Sequence, residues 1–313
     1  MPHSATLAKA AAAAAETPIS AVCAPPPSVQ PLREAHAREV LAFLSPCSVD
    51  TIFLCGLICD NGVESPLNRG TLYGCRDAAG HLEGVALIGH AMVIEARTDR
   101  ACAAFARLAR SVRAHLILGD QEKIENFWAH YEQGGQQPRR ICRELLLEQR
   151  RPAETPAAEL AEEATVLRPA TTGDLEELLV INAAMAYDES GVNPLAVDPE
   201  GFRARLVRRV EAGRVWVWTT EGGRLIFKAD VMADVPGYVY LEAVYVHPEE
   251  RRKGCGRRAM AELGRRLFAR TETLCLLVNE QNKEAQSFFF NAGYKLRACY
   301  DTIFLQPKAS ETN

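Results

Sequence analysis

From residue 166 to 305 the apolar positions change period repeatedly, and each change marks an element. Val166-Leu167-Arg168-Pro169-Ala170 predicts a strand, and Thr172-Gly173-Asp174 predicts entry into a helix carrying Leu175, Leu178, Leu179 and Asn182. A second helix is expected from Pro199 to Ala212. Val215 to Trp218 and Arg224 to Met232 predict two strands of a meander turning at Glu221-Gly222-Gly223, and Tyr238 to Val246 predicts a third strand, closed by Pro248. From Gly256 onward Met260, Leu263 and Leu267 form one apolar stripe, with Arg257, Arg258, Arg265 and Arg266 mostly solvated. Leu274 to Val278 predicts a strand, Ala285, Phe288, Phe289 and Ala292 one face of a last helix, and Leu296 to Leu305 a closing strand.

The preceding stretch has its own periodic elements. Strands are expected at 71–75, 83–95, 115–118 and 141–147, and helices at 33–44, 100–113 and 121–131. The domain plan is therefore an Ala/Pro-rich disordered tail (1–30), an α/β domain (31–149), a Pro/Ala/Glu-rich linker (150–164), a second domain (165–306) and a short tail (307–313).

Between the 238–246 strand and the helix after it lies Arg251-Arg252-Lys253-Gly254-Cys255-Gly256. Glycines let backbone approach a ligand, and the first N–H groups of a helix lack intrahelical partners, so this turn has the chemistry of a phosphate cradle. On the residues alone the glycines could equally serve only to relieve a strand-to-helix turn. Gly254, Gly256 and Ala259 also satisfy GxGxxA, but seven residues separate Val246 from Gly254, where a dinucleotide-binding turn would place its first glycine at the strand end. No Gly-Lys-Ser or Gly-Lys-Thr exists to form a Walker A loop.

Arg251, Gly254 and Gly256 match the acyl-CoA signature of the GCN5-related N-acetyltransferase (GNAT) family, and Asn282, Ala285, Phe289, Gly293 and Tyr294 match its second signature. The chain resembles that family over about residues 165–305, and the element order of 31–149 suits a degenerate first copy. The resemblance implies a mixed, mostly antiparallel sheet flanked by helices, in two tandem domains. It further implies direct transfer of an acetyl group from acetyl-CoA, as co-substrate, to a small-molecule or protein amine. By resemblance the cofactor would be held by Val244, Tyr245, Val246, Arg251, Arg252, Lys253, Gly254, Cys255, Gly256, Arg257, Asn282, Ala285 and Phe289, with backbone N–H groups around Val244 to Val246 facing the carbonyl oxygen.

Glu242, on the central strand in apolar surroundings, is the candidate base, and Tyr240 shares its face by the period of two. A structural ion pair or a solvated side chain is the competing reading of Glu242. Many family members place a tyrosine as acid where this chain has Phe289, which cannot titrate; Tyr294 and Tyr300 are substitutes, though both positions suit core packing. This departure keeps open an alternative, a catalytically weak or inactive acyl-CoA-binding sensor or interaction protein. In the first copy the equivalent turn reads Glu95-Ala96-Arg97-Thr98-Asp99-Arg100, without glycine, and is not expected to hold CoA.

The ten cysteines and seven histidines show no metal-ligand spacing, so no metal is expected. Cys255, at a helix start among arginines, is a candidate modifiable thiol, and His247 reads as a loop residue. A net charge of −4 argues against general nucleic-acid binding. No secretory signal or apolar run long enough for a membrane is read, so a cytoplasmic protein is expected. Acids in the 187–194 connection would suit a cationic acceptor, or only a solvated loop.

Overall fold

The protein is described from a computed structural model covering residues 27–45, 49–152 and 167–306. Residues 1–26 of the predicted tail, 153–164 of the predicted linker, Val166 of the predicted first strand and the tail 307–313 lie outside the described residues. The first half comprises β1 (Ser28–Pro31), α1 (Ala37–Leu44), α2 (Ile52–Asn61), β2 (Gly70–Arg76), β3 (Leu82–Gly89), β4 (Ala91–Ala96), α3 (Asp99–Ala109), β5 (Leu116–Asp120), α4 (Gln121–Tyr131) and β6 (Pro138–Arg150). The second comprises β7 (Arg168–Pro169), α5 (Leu175–Ser190), α6 (Pro194–Val197), α7 (Pro199–Glu211), β8 (Val215–Thr219), β9 (Leu225–Val235), β10 (Tyr238–Val246), α8 (Cys255–Phe268), β11 (Thr273–Asn279), α9 (Lys283–Asn291) and β12 (Lys295–Leu305).

Three local expectations are corrected. Ser28–Pro31, three residues of which fall in the predicted tail, pair as an edge strand with β2. The apolar run 83–95 is a hairpin that breaks at His90, whose N–H instead bonds Arg69 O at 2.9 Å. Arg150, assigned to the linker, ends β6 and pairs with Thr273. In addition α2 has no counterpart in the sequence reading. Its run IFLCGLICDN has no polar stripe, because the helix is packed nearly all round: Ile52, Leu54, Cys55, Gly56 and Ile58 are buried.

All strands join one twelve-stranded sheet in the order β1-β2-β3-β4-β5-β12-β6-β11-β10-β9-β8-β7. Among the described residues only β4–β5 and β10–β11 pair in parallel. The order shows that the halves exchange their last strands. β6, from the first half, lies between β11 and β12, while β12, from the second, pairs with β5 as well as β6. Leu146 and Leu147 of β6 are fully buried on opposite faces.

The exchange is reinforced by α2, which leaves the first half to cover β9. Leu54 and Ile58 share a core with Ala233, Val235 and Tyr240 of the second half, and Asp60 pairs with Arg214 at 2.5 Å. The opposite face of the second-half sheet is closed by α8 and α9, whose Met260, Leu263, Leu267 and Phe289 pack on Val239, Leu241, Leu274 and Leu276.

Candidate active site

β10 and β11 pair only from Tyr238↔Thr273 to Leu241↔Leu276 and then part. β11 stays joined to β6 up to Asn279↔Glu144, so β10 is the strand that diverges. Its departure coincides with a bulge against β9: Glu242 pairs with Asp230 and Tyr245 with Lys228, leaving Ala243 and Val244 opposite Ala229 alone. Ala243 takes φ +50, a left-handed conformation costly for an L-residue. The N–H of His247 donates to Ile226 O on the β9 side at 2.9 Å. By the alternation of a strand, the N–H groups of Val246 and Val244 face the other way, into the gap beside β11.

A buried charge network holds the bulge. Lys228 Nζ, fully buried, donates to Ala243 O at 3.2 Å and Asn182 Oδ1 at 2.5 Å, and pairs with Asp230 Oδ1 at 2.8 Å. Arg209 reaches Asp230 Oδ2 at 3.3 Å. Burial pulls the Lys228 ammonium pKa down, and Asp230 opposes it. Lys228, Asp230 and Arg209 were not singled out in the sequence, and Asn182 was read only as a position on its helix. The available signal was the pair of charges at period two inside LIFKADVMADV, since two charges in a buried strand need partners.

Glu242 and Tyr240 lie on the face of β10 opposite to α8. Tyr240 is 3% exposed and meets Phe53 of α2 edge-on at 4.7 Å. Glu242 is solvent-accessible, yet burial pushes its carboxyl pKa up, with Arg209 opposing. Access together with desolvation places the carboxyl in a recess that water can enter.

Past the gap, Arg251 to Gly256 form the predicted turn. Arg252 (φ +62) and Gly254 (φ +85) are both left-handed, which curls the backbone into a concave run of N–H groups. Gly254 is the N-cap of α8, and no side chain caps the helix, so its first N–H groups stay available to an anion. Gly256 brings α8 against β10, because a Cβ there would sit 2.9 Å from Val246 Cγ2. Arg251, Arg252 and Lys253 are exposed around this mouth. From behind, Arg224 braces it through Glu249 at 2.5 Å and Glu250 at 2.7 Å. These features suit a phosphate-bearing group at the turn and an extended chain in the β10–β11 gap.

Other expected residues take different places. Arg257 lines a separate recess of about 500 Å³ between α8, α9 and the end of β6, with Met260, Phe268 and Tyr294. Asn282 caps α9, its Oδ1 accepting from Ala285 N at 3.0 Å, and Ala285 packs on the core with Phe288. Phe289 is buried between Phe288 and Tyr294, at ring distances of 5.0 and 5.6 Å. Neither substitute acid is well placed: burial pushes both phenols up, the Tyr300 hydroxyl is bound to Asp50 O at 2.7 Å, and the Tyr294 hydroxyl is shut off from solvent. Cys255 is half-buried, and His247 caps the short turn Pro248–Glu250.

The first half lacks such a mouth. Only Arg97 and Thr98 separate β4 from α3, and Thr98 Oγ1 caps the helix by accepting from Ala101 N at 3.3 Å. Glu95 is paired with Lys123 at 2.6 Å, and Arg97 stacks on Phe43 at 3.9 Å while donating to its carbonyl. Among the described residues no group of His, Cys, Asp or Glu is arranged to hold a metal, and no helix is long and apolar enough to cross a membrane.

The family model described as FR47-like protein matches residues 229–303, from β9 into β12. No curated protein matches the sequence. Among solved structures, a Drosophila protein is similar with a TM-score of 0.62 at 15% identity, over 90% of this chain and 99% of that one. A tandem GNAT protein from the clavulanic acid biosynthesis pathway gives 0.55 at 14%, over 90% and 99%. A GNAT-family acetyltransferase from Colwellia psychrerythraea gives 0.51 at 12%, over 89% and 100%. At such identities the likeness concerns the fold, and it spans both halves. The chain thus has the fold of the tandem GNAT proteins, and residues 229–303 within its second half match the FR47-like model.

Proposed function

We propose that the protein is an N-acyltransferase that passes an acetyl group from acetyl-CoA to an amine by direct attack within a ternary complex. The observation that carries this reading is the parting of β10 and β11 at a bulge beside the uncapped start of α8, where strand alternation turns the Val244 and Val246 N–H groups into the gap. The backbone of Arg252 to Gly256, with Arg251 and Lys253, would hold the CoA phosphates, and the gap would take the chain leading to the thioester.

In the transfer step the amine nitrogen forms a bond to the thioester carbon and the carbon–sulfur bond breaks, the sulfur leaving with the electron pair. Val244 and Val246 N–H groups would face the oxygen as its charge grows. Glu242 would take the amine proton, and a raised carboxyl pKa brings it closer to that of an effective base near neutral pH. Tyr240 lies on the same face and would orient the nitrogen. The sulfur leaves as thiolate without a protein acid, which an aqueous thiol pKa of about 8.5 permits. The closed turn of the first half leaves it the role of supplying α2 and β6 to the site.

Acetyl-CoA is titrated calorimetrically into the wild type and into Arg251→Glu/Gly254→Asp, with thiol release followed on an amine panel. Binding lost in the variant, together with amine-dependent release by the wild type, is expected. Binding with no release on any amine would favour an acyl-CoA sensor, and no binding would refute both readings.

A further inference from the structure

Three carboxyls from three elements lie close enough to repel one another: Glu242 acts on both Glu144 and Glu189, and Glu144 acts on Glu189. Glu144 comes from β6 of the first half and Glu189 from the C-terminal end of α5, which is tied to β6 by Arg140 Nη1 donating to Asp188 O at 3.0 Å. Glu144 is 8% exposed and accepts from Thr302 Oγ1 at 2.5 Å, whereas Glu189 and Glu242 are solvent-accessible. An independent feature lies at the floor. Tyr240 is 97% buried (3% exposed), its hydroxyl has no hydrogen-bond partner among the described residues, and the carboxyls it senses are these three. The hydroxyl of Tyr294 is sealed from solvent, whereas that of Tyr240 is not, and Tyr240 shares a face of β10 with Glu242. A buried hydroxyl without a partner, facing an acid-lined opening, is completed by a polar ligand.

The carboxyls do not converge tightly enough for a metal ion. β6 and β10 are separated by β11, and β10 has begun to part from it at Glu242, so the backbones of Glu144 and Glu242 stand more than two strand spacings, roughly 10 Å, apart. An elongated cation fits such a spread. Lys228 and Arg209 face Glu242 but are engaged by Asp230, Asp301 faces Glu144, and Arg140 faces Glu189 from outside.

We propose that the acceptor is a short linear amine with a second ammonium group, the reacting nitrogen meeting Glu242 and Tyr240 while the second is held by Glu144 and Glu189. This rests on the transfer reaction proposed above. Desolvation by the surrounding protein, helped by the neighbouring carboxyls, pushes Glu189 up to about 8 and Glu144 up to about 7. A bound cation favours their ionised forms, so binding releases protons and tightens between pH 7 and 8.

The probes are putrescine, butylamine and γ-aminobutyrate, titrated into the full chain at both pH values in two buffers of different ionisation heat, with thiol release from acetyl-CoA measured alongside. Putrescine should bind at least tenfold more tightly than butylamine, release protons, and lose its advantage in Glu144→Gln and in Glu189→Gln, while acetyl-CoA affinity is unchanged. Equal binding of the amines, a preference for γ-aminobutyrate, or an advantage kept in both variants would overturn the proposal. Putrescine bound with these signatures but never acetylated would support this site and sink the transfer reading. Butylamine acetylated as well as putrescine would do the reverse.

Discussion

The ammonium of Lys228 and the carbonyl oxygen of Ala243 are 3.2 Å apart, and this contact orients the peptide that follows the bulge. In a trans peptide the carbonyl of one residue and the N–H of the next point in opposite directions. Holding Ala243 O toward Lys228 therefore turns the Val244 N–H away from it, into the gap where β10 has left β11. The left-handed Ala243 costs on the order of 1 kcal/mol, and the charged hydrogen bond offsets it.

Lys228→Met removes this strut and leaves Asp230 facing Arg209 alone, which should cost about 3 kcal/mol in urea unfolding. In the protein that remains folded, kcat should fall about a hundredfold, the scale for losing one aligned oxyanion donor, while KM for acetyl-CoA changes little. Lys228→Arg should recover part of the rate. A folded Lys228→Met protein with wild-type kcat would remove the bulge from the mechanism.

Glu242→Gln keeps the shape of the side chain and removes the proposed proton acceptor. Turnover should drop by about 10² to 10⁴, with acetyl-CoA affinity unchanged by calorimetry. Only the ionised carboxyl accepts a proton, and burial raises its pKa, so the acid limb of the wild-type rate profile should lie above the usual carboxylate range and rise with pH. Loss of that limb in the variant ties it to Glu242. An acid limb retained at the same position would assign it to another group.

The exchanged strands bear on how the chain can be divided. β6 lies between β11 and β12, and β12 is the neighbour of β5, so a cut in the linker leaves each half with its last strand seated among the strands of the other half. Residues 1–152 and 165–313 expressed separately should show poorly dispersed amide spectra, and co-expressed halves should copurify and regain the single cooperative unfolding of the whole chain. Two well-folded monomers would show that each half can retract its own last strand.

Local elements of the second half were legible because their periods are local. The stripe Met260, Leu263, Leu267 and the run Tyr238–Val246 each declare one element, and α8 and β10 fall within a residue of expectation. The basic turn was legible for the same reason. Strand exchange was not, since LLLEQR reads identically whichever half of the sheet it joins, and only the pairing Leu147↔Leu276 reveals the choice. α2 escaped notice because a helix wrapped in core has no polar face to give it a period. Glu242 could be named from its strand, but Glu144 and Lys228 reach the site through the fold.

Glu144 makes the stability of the fold depend on pH. Its carboxyl is pushed up to about 7, first by burial and then by Glu242 and Asp301, against an unfolded value near 4.3. A raised folded pKa means that the protonated form is favoured in the native state, so this contribution is full below about pH 4.3 and is lost as pH rises through 7. The loss is on the order of 3 kcal/mol by pH 8. Glu144→Gln carries no charge to desolvate and can still accept from Thr302, so it should unfold at higher urea than wild type at pH 8 and near the wild-type midpoint at pH 4.5. A difference that is the same at both pH values would mean that Glu144 does not titrate in this range and that its hydrogen bond, rather than its charge, sets the effect.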